Sequence, residues 1–198
     1  MIGGLTARLV GAAGRLFSRR TVNRLLGRED GAAAVEFALV AAPFLALGFA
    51  IMETALVFFA SQSLETVASD SARLILTGQA QNQGFDAAKF KAAVCDRVYA
   101  LFDCMGGLYV DVQTYTSFSN LASNNIDKIP LDSNGNLDSS KFGYQAGGPG
   151  DIVVVRLIYL WPVFVPLLGL NLADMPGNKR LVMSTVAFRN EPYQGSGT

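Results

Sequence analysis

The chain has 198 residues, of which 51% are hydrophobic and 16% charged, a composition shifted towards membrane proteins. Basic and acidic residues balance overall, but residues 1–30 carry six arginines against Glu29 and Asp30. The chain contains no histidine, which removes the commonest general base, and its two cysteines are too few for a closed zinc site. We therefore expect a non-enzymatic protein without a cofactor.

Residues 1–31 form a basic leader in which leucine is diluted by arginine, alanine and glycine. An amphipathic helix on the inner membrane surface and an unstructured segment are both compatible with this pattern. Basic residues ahead of an apolar span stay on the cytoplasmic side, so the leader predicts a cytoplasmic N-terminus. Everything after residue 60 should then lie outside the cytoplasm.

Residues 32–60 are predicted to form a transmembrane helix. The part from 37 to 60 contains a single charge, Glu53, and would extend about 36 Å, enough for a hydrocarbon core of about 30 Å. A buried helix of a soluble protein and a secretory signal are the alternatives, although a signal would place its small residues after the apolar core. Glu53 is expected near the outer boundary, solvated or paired with a neighbouring helix.

The helix is predicted to continue over residues 61–78 and to end at Gly78 and the polar run that follows. Five apolar residues recur on one face at helical spacing: Leu64, Val67, Ala68, Ala72 and Ile75. A second amphipathic helix should run from about Phe85 to Phe102.

Three strands are predicted at 108–116, 151–161 and 180–190, with a long irregular loop over 117–150. The second strand is nearly all apolar, which suits a central strand covered on at least one face. The pattern predicts an α+β fold: a long N-terminal transmembrane helix continues into a small extracytoplasmic head over 79–198, with a second helix and a three-stranded antiparallel sheet.

Cys95 and Cys104 lie in or just beyond the second predicted helix. In an extracytoplasmic domain, such a pair favours a disulfide. An unbroken helix through both would hold their α-carbons about 13 Å apart, so the bond requires the chain to turn back around residues 99–104. Two free core cysteines are the alternative.

The stretch DSNGNLD resembles a calcium loop because oxygen-bearing side chains occupy alternate positions: Asp132, Asn134, Asn136 and Asp138. The match is poor, since Leu137 stands where the loop needs glycine and Gly143 where it needs a carboxylate. Asp, Asn and Gly are ordinary turn residues, so we interpret the stretch as a turn without a metal.

Two features of the strands leave alternatives open. Arg156 interrupts the central strand and Arg189 lies near the end of the last, and each could be solvated or paired across the sheet. The apolar stretch 160–170 is broken by Pro162 and Pro166 and could cap the core, lie against the outer leaflet or meet a partner. We favour the core or a partner over membrane insertion.

The start of the apolar helix resembles the prepilin pattern. A basic leader ends in Gly31, followed by four small or apolar residues, Glu36–Phe37 and the long apolar segment. The resemblance implies that a membrane aspartyl peptidase cuts between Gly31 and Ala32 on the cytoplasmic side. Glu36 would then be the fifth residue of the mature chain.

The wider chain resembles the TadE-like family, which are pseudopilins of the tight-adherence (Flp-type) pilus machinery. The likeness is carried by GAAAVEFALVAAPFLAL, GGPGDIVVVRLIYLWPVFVP and STVAFRNEPY, within about residues 28–116 and 146–193. TadG-like proteins share the first segment but usually carry a much larger extracytoplasmic region. Major Flp pilins are very short, so the head over 79–198 implies a minor or accessory pilin.

The resemblance implies a single-pass protein of the bacterial inner membrane with its head in the periplasm. Its partners would be the prepilin peptidase, other pilins, the inner-membrane assembly platform and the lipid bilayer, and not nucleic acid. Glu36 and Phe37 would serve assembly, with the Glu36 carboxylate meeting the cationic N-terminus of a neighbouring subunit. A wet headgroup position is the other interpretation of Glu36.

Two other functions are alternatives to this one. An uncleaved membrane-anchored periplasmic protein could scaffold a secretion platform or bind a ligand. An extracytoplasmic hydrolase would need a nucleophile and a base that the sequence does not offer.

Overall fold

The computed structural model describes residues 31–98, 103–123, 128–164 and 171–193, so the leader residues 1–30 and the stretch 165–170 lie outside it. The described helices are α1 (Ala32–Leu76), α2 (Gln79–Asn82), α3 (Ala87–Cys95), α4 (Cys104–Gly107) and α5 (Phe118–Ser123), with a 3₁₀ turn at Ser139–Lys141. The strands are β1 (Leu108–Tyr115), β2 (Ile152–Pro162) and β3 (Lys179–Arg189). This is the predicted α+β combination of a long N-terminal helix, further helix and three-stranded antiparallel sheet.

The chain divides into two compact units, the first ending at Phe49 and the second beginning at Ala50. In the described part of the first unit, α1 is the main element and continues through Pro43. Its large apolar side chains are exposed: Val35, Phe37, Leu39, Val40, Phe44, Leu45, Leu47 and Phe49. By length and composition α1 could cross a membrane, and the apolar window that qualifies it is hardly buried.

In the second unit, one face of α1 is buried from Ala50 onwards. Most of the buried positions follow one another at intervals of three or four residues, as a single helix face requires. They are Ala50, Glu53, Val57, Ala60, Leu64, Val67, Ala68, Ser71, Ala72 and Ile75. The five residues predicted to face inward are all among them. The buried face begins at residue 50, inside the segment 32–60 that was assigned to the membrane.

Gly78 ends α1, as the sequence predicted. It adopts φ +75°, a left-handed conformation that glycine reaches without a steric cost, and its N–H donates to the carbonyl of Ile75 at 3.0 Å. A β-carbon at this position would also come within 2.3 Å of Cγ in the Tyr193 ring. The chain therefore needs glycine here both for the turn and for the close approach of its C-terminal segment.

The second amphipathic helix is shorter than predicted. Asp86 caps α3 by accepting a hydrogen bond from the Lys89 N–H at 2.7 Å, and the helix ends at Cys95, not near Phe102. Phe90 and Val94 of this helix are fully buried. The polar run after Gly78, which was expected only to end α1, also contains the single turn α2. Residues 99–102 lie outside the description.

The sheet has the order β1-β2-β3 with both pairings antiparallel. Val155, Leu157 and Trp161 of β2 belong to the same apolar cluster as the buried face of α1. Ile152 and Val154 point to the opposite face and pack with Leu121 of α5. Burial on both faces explains why β2 is almost continuously apolar.

The described parts of the segment 117–150 contain more regular structure than the predicted irregular loop. They contribute α5, the 3₁₀ turn and a parallel bridge from Tyr144 to Val112 on the outer edge of β1. Phe142 packs edge-on against Tyr109, with ring centroids 6.2 Å apart. The segment therefore covers the sheet face that α1 does not.

Candidate processing and assembly site

The predicted processing site lies at the start of α1. Gly31 precedes the helix, Ala32 is its first residue and Glu36 follows one turn later. Glu36 is exposed, and so is the Phe37 side chain, at 75% of its full area. Residues four apart in a helix share a face, so the Glu36 side chain lies over the first turn, which begins at Ala32. The backbone N–H groups of that turn have no partner within the helix and favour a nearby carboxylate.

After a cut at Gly31, the start of α1 would carry both an amine, on Ala32, and the Glu36 carboxylate. Cutting the Gly31–Ala32 bond would leave a cationic amine at the end of an apolar helix. A carboxylate on that same helix is expensive in hydrocarbon unless it meets a cation. The exposed positions of Glu36 and Phe37 leave both side chains available to a neighbouring helix.

Glu53 is not solvated, so the first of its two predicted environments is wrong. Its side chain is 5% exposed, and its Oε1 accepts a hydrogen bond from the Phe164 N–H at 2.5 Å. The partner is thus the backbone that follows β2, in the same compact unit as Glu53. Sequence spacing alone could not find this contact, because 111 positions separate the two residues.

Arg156 is paired with Asp111, its register partner on β1. Arg156 Nε lies 2.9 Å from Asp111 Oδ2, and Nη2 donates to the same oxygen. The other carboxylate oxygen accepts from the Gly143 N–H at 2.9 Å and from the Gln113 amide at 2.8 Å. Asp111 is completely buried, and Arg156 nearly so, so this pair is a structural ion pair with every carboxylate oxygen in use.

Arg189 has a backbone partner. Its Nε donates to the Gly150 carbonyl at 2.8 Å, which ties the end of β3 to the turn before β2.

Sequence reasoning did not identify Asp111 as the partner of Arg156. An aspartate and an arginine in the middle of two adjacent apolar strands are nevertheless a usable signal for such a pair.

Cys95 and Cys104 form a disulfide with a Cα–Cα distance of 5.6 Å. Cys95 is the last residue of α3 and Cys104 the first of α4, so the chain turns back between them. The bond links the end of α3 to the element that leads directly into β1.

The contribution of the disulfide to stability can be measured. Replacing both cysteines by alanine should lower the free energy of unfolding by about 2–3 kcal/mol, because the closed loop is short. Urea unfolding of the two chains in detergent micelles measures the difference. Thiol counting on the non-reduced wild-type protein should find no free thiol, and two free thiols would contradict the bond.

In the stretch that resembles a calcium loop, Asp132 and Asp138 accept hydrogen bonds from residues of their own turns. Asp132 Oδ1 accepts from the N–H groups of Asn134 and Asn136, both at 2.8 Å, around Gly135. The Asn136 N–H lowers the pKa of Asp132, an effect that desolvation opposes, and the hydroxyl of Ser140 is the main cause that lowers the pKa of Asp138. Within the described ranges, no three His, Cys, Asp or Glu side chains are grouped to hold a metal.

Tyr144 carries a buried polar group that the sequence did not reveal. Its ring packs against Phe90 with centroids 5.4 Å apart, and its hydroxyl has no hydrogen-bond partner in the part of the chain that the structure describes. Desolvation, and secondarily the charge of Asp86, raises the pKa of Tyr144 to about 12.

Replacing Tyr144 by phenylalanine should leave stability at pH 7 unchanged or raise it by up to about 1 kcal/mol, because no hydrogen bond is lost. In the wild type, the raised pKa favours the folded state below pH 10, and this contribution is lost as the pH rises to about 12. Tyr144→Phe should lack that alkaline loss, whereas the control Tyr109→Phe should retain it. Urea unfolding at pH 7 and pH 11 tests this, and equal losses in all three chains would contradict it.

The described geometry thus defines an exposed apolar helix, with a carboxylate one turn from its start, joined to a disulfide-linked α+β head. Residues 31–73 match the family model described as TadE-like protein. The match confirms the resemblance to the TadE-like family over this part of the chain, and it begins at Gly31. Comparison with curated proteins and with solved structures finds no match.

Proposed function

We propose that this protein is a minor pseudopilin that takes part in the assembly of a Tad-type pilus. The observation that carries the proposal is the TadE-like match from Gly31 to residue 73, whose first residues hold the glycine, the glutamate and the exposed apolar helix. Pilus subunits associate through such helices, and the exposed side chains of α1 supply the surface. The role is non-enzymatic, in keeping with a chain that has no histidine.

The maturation step proposed is a cut between Gly31 and Ala32 by a prepilin peptidase on the cytoplasmic side. The arginine-rich leader supports this orientation, because positive charge is retained in the cytoplasm. After the cut, the amine of Ala32 and the carboxylate of Glu36 are available to pair between neighbouring subunits, which lowers the cost of the charge in the bilayer. The head is then placed in the periplasm, among other pilins and the inner-membrane assembly platform.

The mass of the N-terminal peptide from wild-type cells tests the proposal. A mature chain that begins at Ala32 is the expected result, and an intact leader would contradict it. Gly31→Leu should block the cut, because the bulky side chain replaces the glycine of the recognised pattern. Gly27→Ala, a change to another glycine of the leader, is the matched control and should be processed normally.

A further inference from the structure

An apolar surface lies on the second compact unit. Its side chains come from the exposed face of α1 and from Phe164, the second residue after β2. We call this set the apolar collar: Ile51, Met52, Leu56, Phe58, Phe59 and Phe164. Phe164 is the most exposed of them, at 72%.

The collar residues lie at the depth where the bilayer should end. This step rests on the proposed function, in which α1 crosses the membrane. If the hydrocarbon core begins after Glu36, about 20 helical residues bring it to its outer boundary near Leu56. Glu53 precedes that boundary by one turn of helix, so Phe164, whose N–H binds Glu53, lies on the membrane side of it.

The contact between Glu53 and Phe164 removes the main obstacle to such a position. A carboxylate on the lipid face of a helix costs at least about 2.5 kcal/mol near the bilayer centre. Glu53 is instead turned into the head, where it is 5% exposed and accepts the Phe164 N–H. The same contact satisfies a backbone donor that would be costly in hydrocarbon. The surface left outward at this level is apolar.

We propose that the collar is immersed in the outer leaflet of the membrane, so that the Phe164 side chain enters lipid beside α1. The occupant of the surface is the acyl chains of the bilayer. Lipid is the expected occupant because five of the six collar residues belong to α1, the helix whose length and composition could cross a membrane. Phe164 extends this surface to a second element of the head, which a simple helical anchor would not require.

Spin labels on single cysteines of the full chain test the proposal. The native cysteines are bonded to each other, so a nitroxide reacts with the introduced thiol. Labels at Phe164→Cys, Val40→Cys and Leu131→Cys would be compared in phosphatidylcholine–phosphatidylglycerol vesicles at low protein content. All three native side chains are exposed and apolar.

The Phe164 and Val40 labels should collide more often with dissolved oxygen than with a water-soluble nickel chelate, and the Leu131 label should show the reverse order. A Phe164 label that favours the nickel chelate while the Val40 label favours oxygen would overturn the collar and leave the anchor intact. Shielding of the Phe164 label from both reagents would indicate a protein contact and would also overturn it. If the Val40 label were aqueous, both the collar and the membrane-anchored function would fail.

Discussion

Asp111→Asn is expected to lower the free energy of unfolding of the head by about 3–5 kcal/mol. The change keeps the size of the side chain but removes its charge, which leaves the Arg156 guanidinium buried without its counter-charge. Asp111 is fully buried and Arg156 is 11% exposed, so water cannot compensate for the loss. Because the pair joins β1 to β2, the destabilisation should affect the whole sheet. Urea unfolding of the full chain in detergent micelles, followed by circular dichroism, measures it.

Three further variants sharpen this test. In Asp111→Asn/Arg156→Gln neither charge remains buried, so the double variant should be more stable than the summed losses of Asp111→Asn and Arg156→Gln predict. Asp138→Asn is the matched control, because Asp138 pairs with Lys141 at 3.5 Å on the surface. It should change the stability little. An Asp111→Asn chain as stable as the wild type, or strictly additive losses in the double variant, would show that the pair does not hold the sheet together.

If the proposed function holds, Glu36→Ala is expected to leave the proposed cut after Gly31 intact and to abolish association with pilins. Removing one partner of a desolvated charge pair costs about 2–5 kcal/mol, so incorporation into assembled pili should fall by at least about tenfold. Quantifying the protein in sheared filaments, with the mass of its N-terminus, separates assembly from processing.

Glu36→Gln distinguishes pairing from a position in the wet headgroup layer. Glutamine has nearly the same size but no charge, so it should fail like alanine if the carboxylate binds an amine. Glu65→Ala is the control, since Glu65 is an exposed glutamate further along the same helix. It should assemble normally. Normal piliation by Glu36→Ala would refute the pairing role of this residue.

The sequence by itself determined the elements whose signal is local. The apolar run of α1, the helical spacing from Leu64 to Ile75 and the end at Gly78 depend on near neighbours along the chain, and each was predictable. The same holds for the three strands, whose alternating or β-branched residues specify extended backbone. The pattern from Gly31 to Phe37 is also local, and it carried the family resemblance.

The tertiary structure decided the partners that are distant in sequence. It turned Glu53 into the head to bind the Phe164 N–H, and it set Asp111 opposite Arg156. It also used residues from the segment 117–150 to cover the second face of the sheet. Local propensity cannot specify these outcomes, because a polar group removed from water takes whichever partner the packed strands and helix bring to it.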